Sequence, residues 1–500
     1  MEKKNITKAK QEEIAKRNKL LTIGGLACAG VQLVATIVLI VMLASLDVLQ
    51  FEFKILIDIL LVLFCMVTAI TQRWIIPGLI TKFTSLLMTA VLIAGSIYIN
   101  TTDRTIDKIS GSYTKIASMA VYVLADNSAE TIYDLSGNTF GIISNLERED
   151  TDKTIAMLED EMEETLNISE YQSAVLLVDA LVLGEVDAVI MNSSYLTMVT
   201  DMEEYKDYGS KVKCIMTYDI ESYIVDEGDD NEELITSDDC ITIYISGIDC
   251  VGPANVNRNS DVNIICTLNK KTHQVLLVST PRDFYIPLSI SNGVKDKLTH
   301  AGVYGVDVSM DTLEMLYGIN IDYYVKVNFT GFVNVIDALG GIEVYSEYNF
   351  TAHHGGYTYH QGMNTVNGLQ ALGFARERYS FPTGDRQRGR NQMEVVKGLV
   401  NKLTSTEMLA NYNSVMASIS DCVVTDMPQE EITDLVKHQL EEMPVWDIKS
   451  FSVNGKGSSE YTYSLPNYAT YVMIPDDELV NQAKGYLEQL HNNEIITIGE

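Results

Sequence analysis

Residues Ile241-Thr242-Ile243-Tyr244-Ile245-Ser246-Gly247-Ile248-Asp249 decide the fold class. Ile241, Ile243 and Ile245 alternate with Thr242, Tyr244 and Ser246, a period of two that predicts a half-buried strand with an acid at its end. Going outward toward the C-terminus, Val262 to Leu268 and Gln274 to Thr280 read as two more strands. Ser309 to Tyr317 and Phe332 to Leu339 have helical spacing, with strands at Tyr323 to Val327 and Ile342 to Tyr345. Helices are expected at Val366 to Arg376, Arg388 to Leu403, Glu430 to Glu441 and Asp477 to Leu490, with a strand at Asp447 to Val453. The mixture predicts an α/β domain over residues 236–491, one mixed sheet flanked by helices, and a short tail over 492–500.

Toward the N-terminus, residues 103–235 read as a smaller α/β accessory domain. Thr139 to Ser144 predicts a strand, Asp152 to Glu164 and Tyr171 to Leu183 two helices, and Val186 to Met191 another strand. Asp226 to Glu233 holds six acids in eight residues and reads as a solvated linker. No chemical motif stands out in this part.

The first hundred residues are membrane segments. Leu20 to Leu46 runs for 27 residues without a charge, long enough to cross a hydrocarbon core of about 30 Å. A second apolar stretch lies between Lys54 and Arg73, broken only by Asp58, which is expected near the outer interface. The third, Phe83 to Thr102, has 20 residues and no charge. Three crossings over 20–102 follow a tail at 1–19. Positions 1–20 carry seven basic residues against three acids, which keeps that end in the cytoplasm. The chain is then a multi-pass protein of the cell membrane with everything after about residue 103 extracellular.

Charge excludes other classes. The chain has 36 Lys+Arg and 68 Asp+Glu, a net −32, and the residues beyond position 20 carry −36. A sequence-wide nucleic-acid binder would be basic, so no nucleic-acid partner is expected. A hydrophobic content of 46% excludes a disordered chain. The exported part has Cys214, Cys240, Cys250, Cys266 and Cys422, with no CxxC and no Cys/His pair at zinc spacing. Cys266 lies in an apolar run and reads as core, and one disulfide among the others is an open reading.

Arginine marks the chemistry. Five of the 11 arginines fall in one stretch of fifteen: Arg376, Arg378, Arg386, Arg388 and Arg390. Arg258 and Arg282 belong to the same domain. Arginine is favoured where a planar fork grips phosphate or carboxylate at two points. Set in an acidic region, the cluster reads either as an anion site or as a network of bridges to Glu377 and Asp385. Asp249, Asp261 and Asp283 lie at strand ends, where neighbouring carboxylates converge on a hard cation such as Mg2+. His353, His354 and His360 share a Gly/Tyr-rich loop without a fourth zinc ligand, and read as a surface turn or a sugar-contacting loop.

These residues form an ordered series: Gly247-Ile248-Asp249, Ser260-Asp261, Pro281-Arg282-Asp283, Lys297 to Ala301, Asp337 to Gly341, Ala375-Arg376-Glu377-Arg378, Gly384-Asp385-Arg386-Gln387-Arg388, and Asn391-Gln392. Together they resemble the LytR–CpsA–Psr family over about half the chain. The three-helix anchor and accessory domain are similar to its capsule-associated branch. The resemblance implies a phosphotransferase that moves a glycopolymer from an undecaprenyl-pyrophosphate carrier to peptidoglycan, for cell wall or capsule assembly. It implies magnesium on Asp249 and Asp261, and pyrophosphate on Arg282, Arg376, Arg378 and Arg388. Asp385 would position the last arginine, Lys297 would border the head-group, and the isoprenoid tail would enter an apolar groove between sheet and helices. One departure is visible: the family usually has Arg directly before Ser-Asp, whereas here Asn259 stands there and Arg258 is displaced by one. Two other readings share the sequence, a membrane-bound attenuator of envelope-gene transcription and a polyprenyl-pyrophosphate hydrolase.

Overall fold

The computed structural model describes residues 2–46, 51–224, 234–248, 254–403, 405, 415–419 and 423–498. The acidic linker, Asp249, Cys250 and Cys422 lie outside the described residues, and so does the side chain of Asp385. The polypeptide forms two compact units.

The first unit takes in Met1–Lys108, Tyr412–Ala417 and Pro428–Met443. It contains the helices α1 (Glu2–Leu46), α2 (Phe51–Thr71) and α3 (Ile75–Ile109). Each has a span long and apolar enough to cross a membrane: Ala15–Ala44, Phe53–Thr71 and Ile75–Ile109. Their polarity is reversed relative to a soluble bundle. Leucines and isoleucines such as Ile37, Leu63 and Leu86 are exposed, while Gln32, Thr36, Cys65, Thr68, Gln72 and Thr89 are buried. Thr36 Oγ1 lies 3.4 Å from Cys65 Sγ, and Gln72 Nε2 donates to Thr81 Oγ1 at 3.0 Å. Hydrogen-bonding side chains between apolar-coated helices are what lipid-facing bundles use to associate.

The second unit comprises Ile109–Asn411, Ser418–Met427 and Pro444–Glu500, and holds two main sheets. The first sheet contains β1 (Thr114–Leu124), β2 (Thr139–Ile143), β3 (Asn167–Tyr171), β4 (Ala188–Asn192) and β5 (Val212–Tyr223), in the order β3-β2-β4-β1-β5. β2 runs parallel to β3 and β4, and β1 runs antiparallel to β4 and β5. Helices α4 (Arg148–Met162), α5 (Ala174–Leu183) and α6 (Ser193–Thr200) connect them. The helix expected from Tyr171 is corrected. Tyr171 closes β3, and Ser173 caps α5 by accepting from Leu176 N at 3.4 Å. β1 escapes a sequence reading because Ala117 to Val123 are buried on both faces, leaving no alternation to detect.

The second sheet has six strands. β6 (Cys240–Ile248), β7 (Ser260–Asn269) and β8 (Gln274–Ser279) form an antiparallel meander. Tyr323–Asn328 lies parallel to β6, with Val423–Thr425 outside it, and Asp447–Ser452 lies parallel to β8. β6 is not half-buried as its alternation suggests: Thr242, Tyr244 and Ser246 are buried, and Ile243 and Ile245 on the other face are largely covered. A central strand with layers on both sides explains this. Ile342–Ser346 leaves the sheet and pairs with Gly362–Val366 in a separate ribbon. The two sheets share a core, since Val303 and Leu465 pack in one cluster with Val175, Val178 and Met198. Cys214, Cys240 and Cys266 are free thiols, and burial pushes the last two up to about 11 and about 12.

Candidate functional site

The site begins with an irregularity in β7. Gly247 pairs with Val262, but Ile248 pairs with Ser260, so Asp261 is an extra residue on one strand. Such a bulge re-aims the side chain it carries. Ser260 holds it in place: its Oγ donates to the Val262 carbonyl at 3.0 Å and lies 2.8 Å from Ser246 Oγ. Asn263 Nδ2 donates to the Ser260 carbonyl at 3.2 Å. Gly302 allows the preceding segment to approach, because a Cβ there would lie 2.5 Å from the Arg258 carbonyl oxygen. Arg258 and Asn259 both line the same cavity as Asp261.

That cavity has a volume of about 500 Å³ and gathers Arg258, Arg282, Arg376, Arg378 and Arg388. Arg282 forms an ion pair with Asp261 through Nη1 and lies 3.3 Å from Asp201 Oδ2 through Nη2. Arg376 ends the helix Gly368–Arg376, where a cation meets the negative end of the helix dipole. Its guanidinium lies 5.0 Å from the ring centre of Phe329. Arg388 is on the helix Asp385–Leu403. Side-chain amides join the two helices: Asn391 Nδ2 donates to the Phe374 carbonyl at 3.1 Å and Gln392 Nε2 to the Ala375 carbonyl at 3.4 Å. The Asn391-Gln392 motif therefore holds carbonyls that a helix end leaves without intrahelical partners.

Glu377 accepts from the backbone of His353 at 2.5 Å, from His353 Nδ1 at 3.1 Å and from Ser380 N at 2.8 Å. Burial raises its pKa, but these hydrogen bonds outweigh that and hold it below the usual carboxylate range. Glu377 thus fixes the histidine loop, and His353 and His354 reach the cavity while His360 binds Asn364 elsewhere. Arg390 of the cluster bridges to Glu347 at 2.9 Å.

The other expected residues fall as follows. Lys297 is buried beside the site rather than in its lining; its Nζ lies 3.5 Å from Asp283 Oδ1, which is 3.8 Å from Arg282 Nε. His300 of the same motif pairs with the buried Asp296 at 2.7 Å. β6 ends one residue before Asp249, and its last residue pairs beside Asp261. Five lining residues have no sequence signal: Ser194 and Thr197 of α6, Asp201 just after it, Phe329 and Tyr379.

A second cavity of about 350 Å³ lies between the sheet and the helices. Ile264, Val325, Phe332, Leu372 and Leu399 line it, and it shares Phe329, Arg376 and Gln392 with the first. The site is therefore an arginine-lined chamber beside an apolar one, with three residues common to both walls.

Residues 192–484 match the LytR_cpsA_psr family. The polyisoprenyl-teichoic acid–peptidoglycan teichoic acid transferase TagU of Bacillus cereus (strain AH820) is 30% identical over 260 residues, 51% of this chain and 82% of its own. Its namesake from Enterococcus faecalis is 32% identical over 253 residues, 50% of this chain and 80% of its own. The crystal structure of B. subtilis TagV covers 51% of this chain and 98% of its own at 27% identity, with a TM-score of 0.42.

Proposed function

The chain belongs to the LytR_cpsA_psr family, and from that premise we propose that it is a cell-wall polymer transferase. It takes a glycopolymer from an undecaprenyl-pyrophosphate carrier in the membrane and joins it to peptidoglycan, with the domains after α3 on the outer side. The observation that carries this is that the two cavities are neighbours and share Phe329, Arg376 and Gln392 in their walls. A ligand with a multiply charged head and a hydrocarbon tail matches that pair of chambers.

In this reading Arg282, Arg376, Arg378 and Arg388 grip the pyrophosphate. A hydroxyl of the acceptor attacks the phosphorus that carries the polymer. The new P–O bond forms to the acceptor oxygen, the bridging P–O–P bond breaks, the acceptor loses its proton, and lipid monophosphate leaves. Phosphoryl transfer needs positioning and charge neutralisation rather than a covalent nucleophile, which suits a wall of guanidinium groups. The Asp261 carboxylate in the chamber suits a hard cation. Asp261 and Asp249 would hold Mg2+, which neutralises phosphate charge when bound. Asp385 would orient Arg388, and Lys297 acts indirectly through Asp283.

The test is transfer by the full-length protein in nanodiscs, given a lipid-linked glycan, Mg2+ and peptidoglycan. The expected result is glycan covalently attached to peptidoglycan and abolished by EDTA. Free glycan phosphate without attachment would replace transfer by hydrolysis, and no consumption of the lipid-linked glycan would end the reading.

A further inference from the structure

One wall of the arginine chamber comes from the other sheet of the unit. Ser194, Thr197 and Asp201 are spaced three and four residues apart, which puts them on one side of α6 and its continuation, and all three line the chamber. This wall is fixed. Asn192 caps α6 by accepting from Ser194 N at 3.0 Å, and its Nδ2 donates to Glu147 Oε1 at 3.0 Å. Ser194 Oγ donates to the Asn257 carbonyl at 3.2 Å, which ties the helix to the segment leading into the bulge.

The chemistry of this wall differs from that of the rest. The guanidinium groups offer only donors, whereas Asp201 and Thr197 add acceptors to this wall, which suits a ligand group that donates. Asp201 Oδ2 lies 3.3 Å from Arg282 Nη2, while Nη1 of the same guanidinium reaches Asp261. Asp201 is therefore one guanidinium width from the phosphate-binding centre, and its side chain is half exposed at 50%. A carboxylate has about four lone-pair sites, which leaves acceptor capacity facing the chamber. Thr197 adds an exposed hydroxyl one turn earlier.

We propose that α6 is a saccharide-binding wall, on which Thr197 and Asp201 hydrogen-bond the hydroxyl groups of the sugar next to the pyrophosphate. This rests on the carrier reading above. It gives the five-stranded sheet a role in donor selection.

Two probes separate sugar from head-group: farnesyl pyrophosphate, and farnesyl-pyrophosphoryl N-acetylglucosamine, each titrated against the full chain in nanodiscs. Thr197→Val should weaken the sugar-bearing lipid about threefold and Asp201→Ala about tenfold. Asp201→Asn, which keeps one acceptor oxygen, should fall between wild type and Asp201→Ala. Farnesyl pyrophosphate should bind the Thr197 variant as before and the Asp201 variants equally or more tightly, because a competing carboxylate is gone. Equal losses for both lipids, or no loss for the sugar-bearing one, would overturn the saccharide wall and leave the carrier reading standing. Failure of the unsubstituted protein to bind either lipid would instead bring down the carrier reading, and this inference with it.

Discussion

Replacing Glu147 by Gln tests whether the α6 wall stands on a half-buried acid whose carboxyl is shielded from water. Glu147 precedes α4 with a left-handed backbone, and its carboxyl accepts from Asn192, the residue that caps α6. Burial pushes its pKa up from 4.5 to about 7; the hydrogen bond from Asn192 opposes this, Asp150 adds to it, and Lys115 opposes it. A carboxyl raised on folding contributes stability that is complete below its unfolded pKa of about 4.5 and is lost as pH rises through about 7. At about 1.4 kcal/mol per unit, the loss above that range comes to about 3 kcal/mol. Gln mimics the protonated acid at every pH. The variant should therefore melt with wild type near pH 4.5 and exceed it at pH 8.5, by about 3–4 °C for a unit of this size. Melting curves of the full-length protein at the two pH values read this directly. A difference between variant and wild type that is the same at both would refute the reasoning.

The remaining predictions address the chamber and the topology. Arg388→Ala should cost about tenfold or more in farnesyl pyrophosphate affinity, from a charge-assisted contact of roughly 1.5–3 kcal/mol, with Arg388→Lys recovering part; a lower melting temperature with unchanged affinity would make the cluster structural. Asp261→Ala should abolish Mg2+-dependent transfer while the circular dichroism spectrum is retained, and full activity would remove the metal site. Leu372→Trp should fill the apolar cavity and erase any preference for long over short polyprenyl chains, leaving inorganic pyrophosphate binding untouched; a surviving preference places the tail elsewhere. Protease added to intact protoplasts should remove the segment around Arg388, and its protection until lysis would reverse the orientation.

The sequence was most legible where local pattern and final environment agree. The apolar stretches of the first hundred residues coincide with α1–α3, and the pattern places the start of the helix carrying Arg388 to within three residues. The arginine cluster was visible because arginine is scarce in this acidic chain. Its division was not visible: Arg388 enters the chamber, whereas Arg390, two residues on, bridges to Glu347. Helical phase alone does not say which carboxylate lies opposite. β1 was hidden by burial on both faces, and α6 by the ordinariness of a Ser, a Thr and an Asp. Their position at the chamber follows from how two sheets meet, which no local window contains.

The bulge at Asp261 has a consequence for how this chain can vary. A bulge is one residue more than the ladder needs. Deleting Asp261 would let β7 run alongside β6 in unbroken register, since Ser260 and Val262 already have their partners in Ile248 and Gly247. The resulting sheet would be more regular and should fold at least as well, but without the carboxylate that pairs with Arg282 from this strand. Selection for stability alone would tend to erase this residue. Among natural relatives, a shortened strand here would therefore mark a chain that has kept the fold and given up the chemistry.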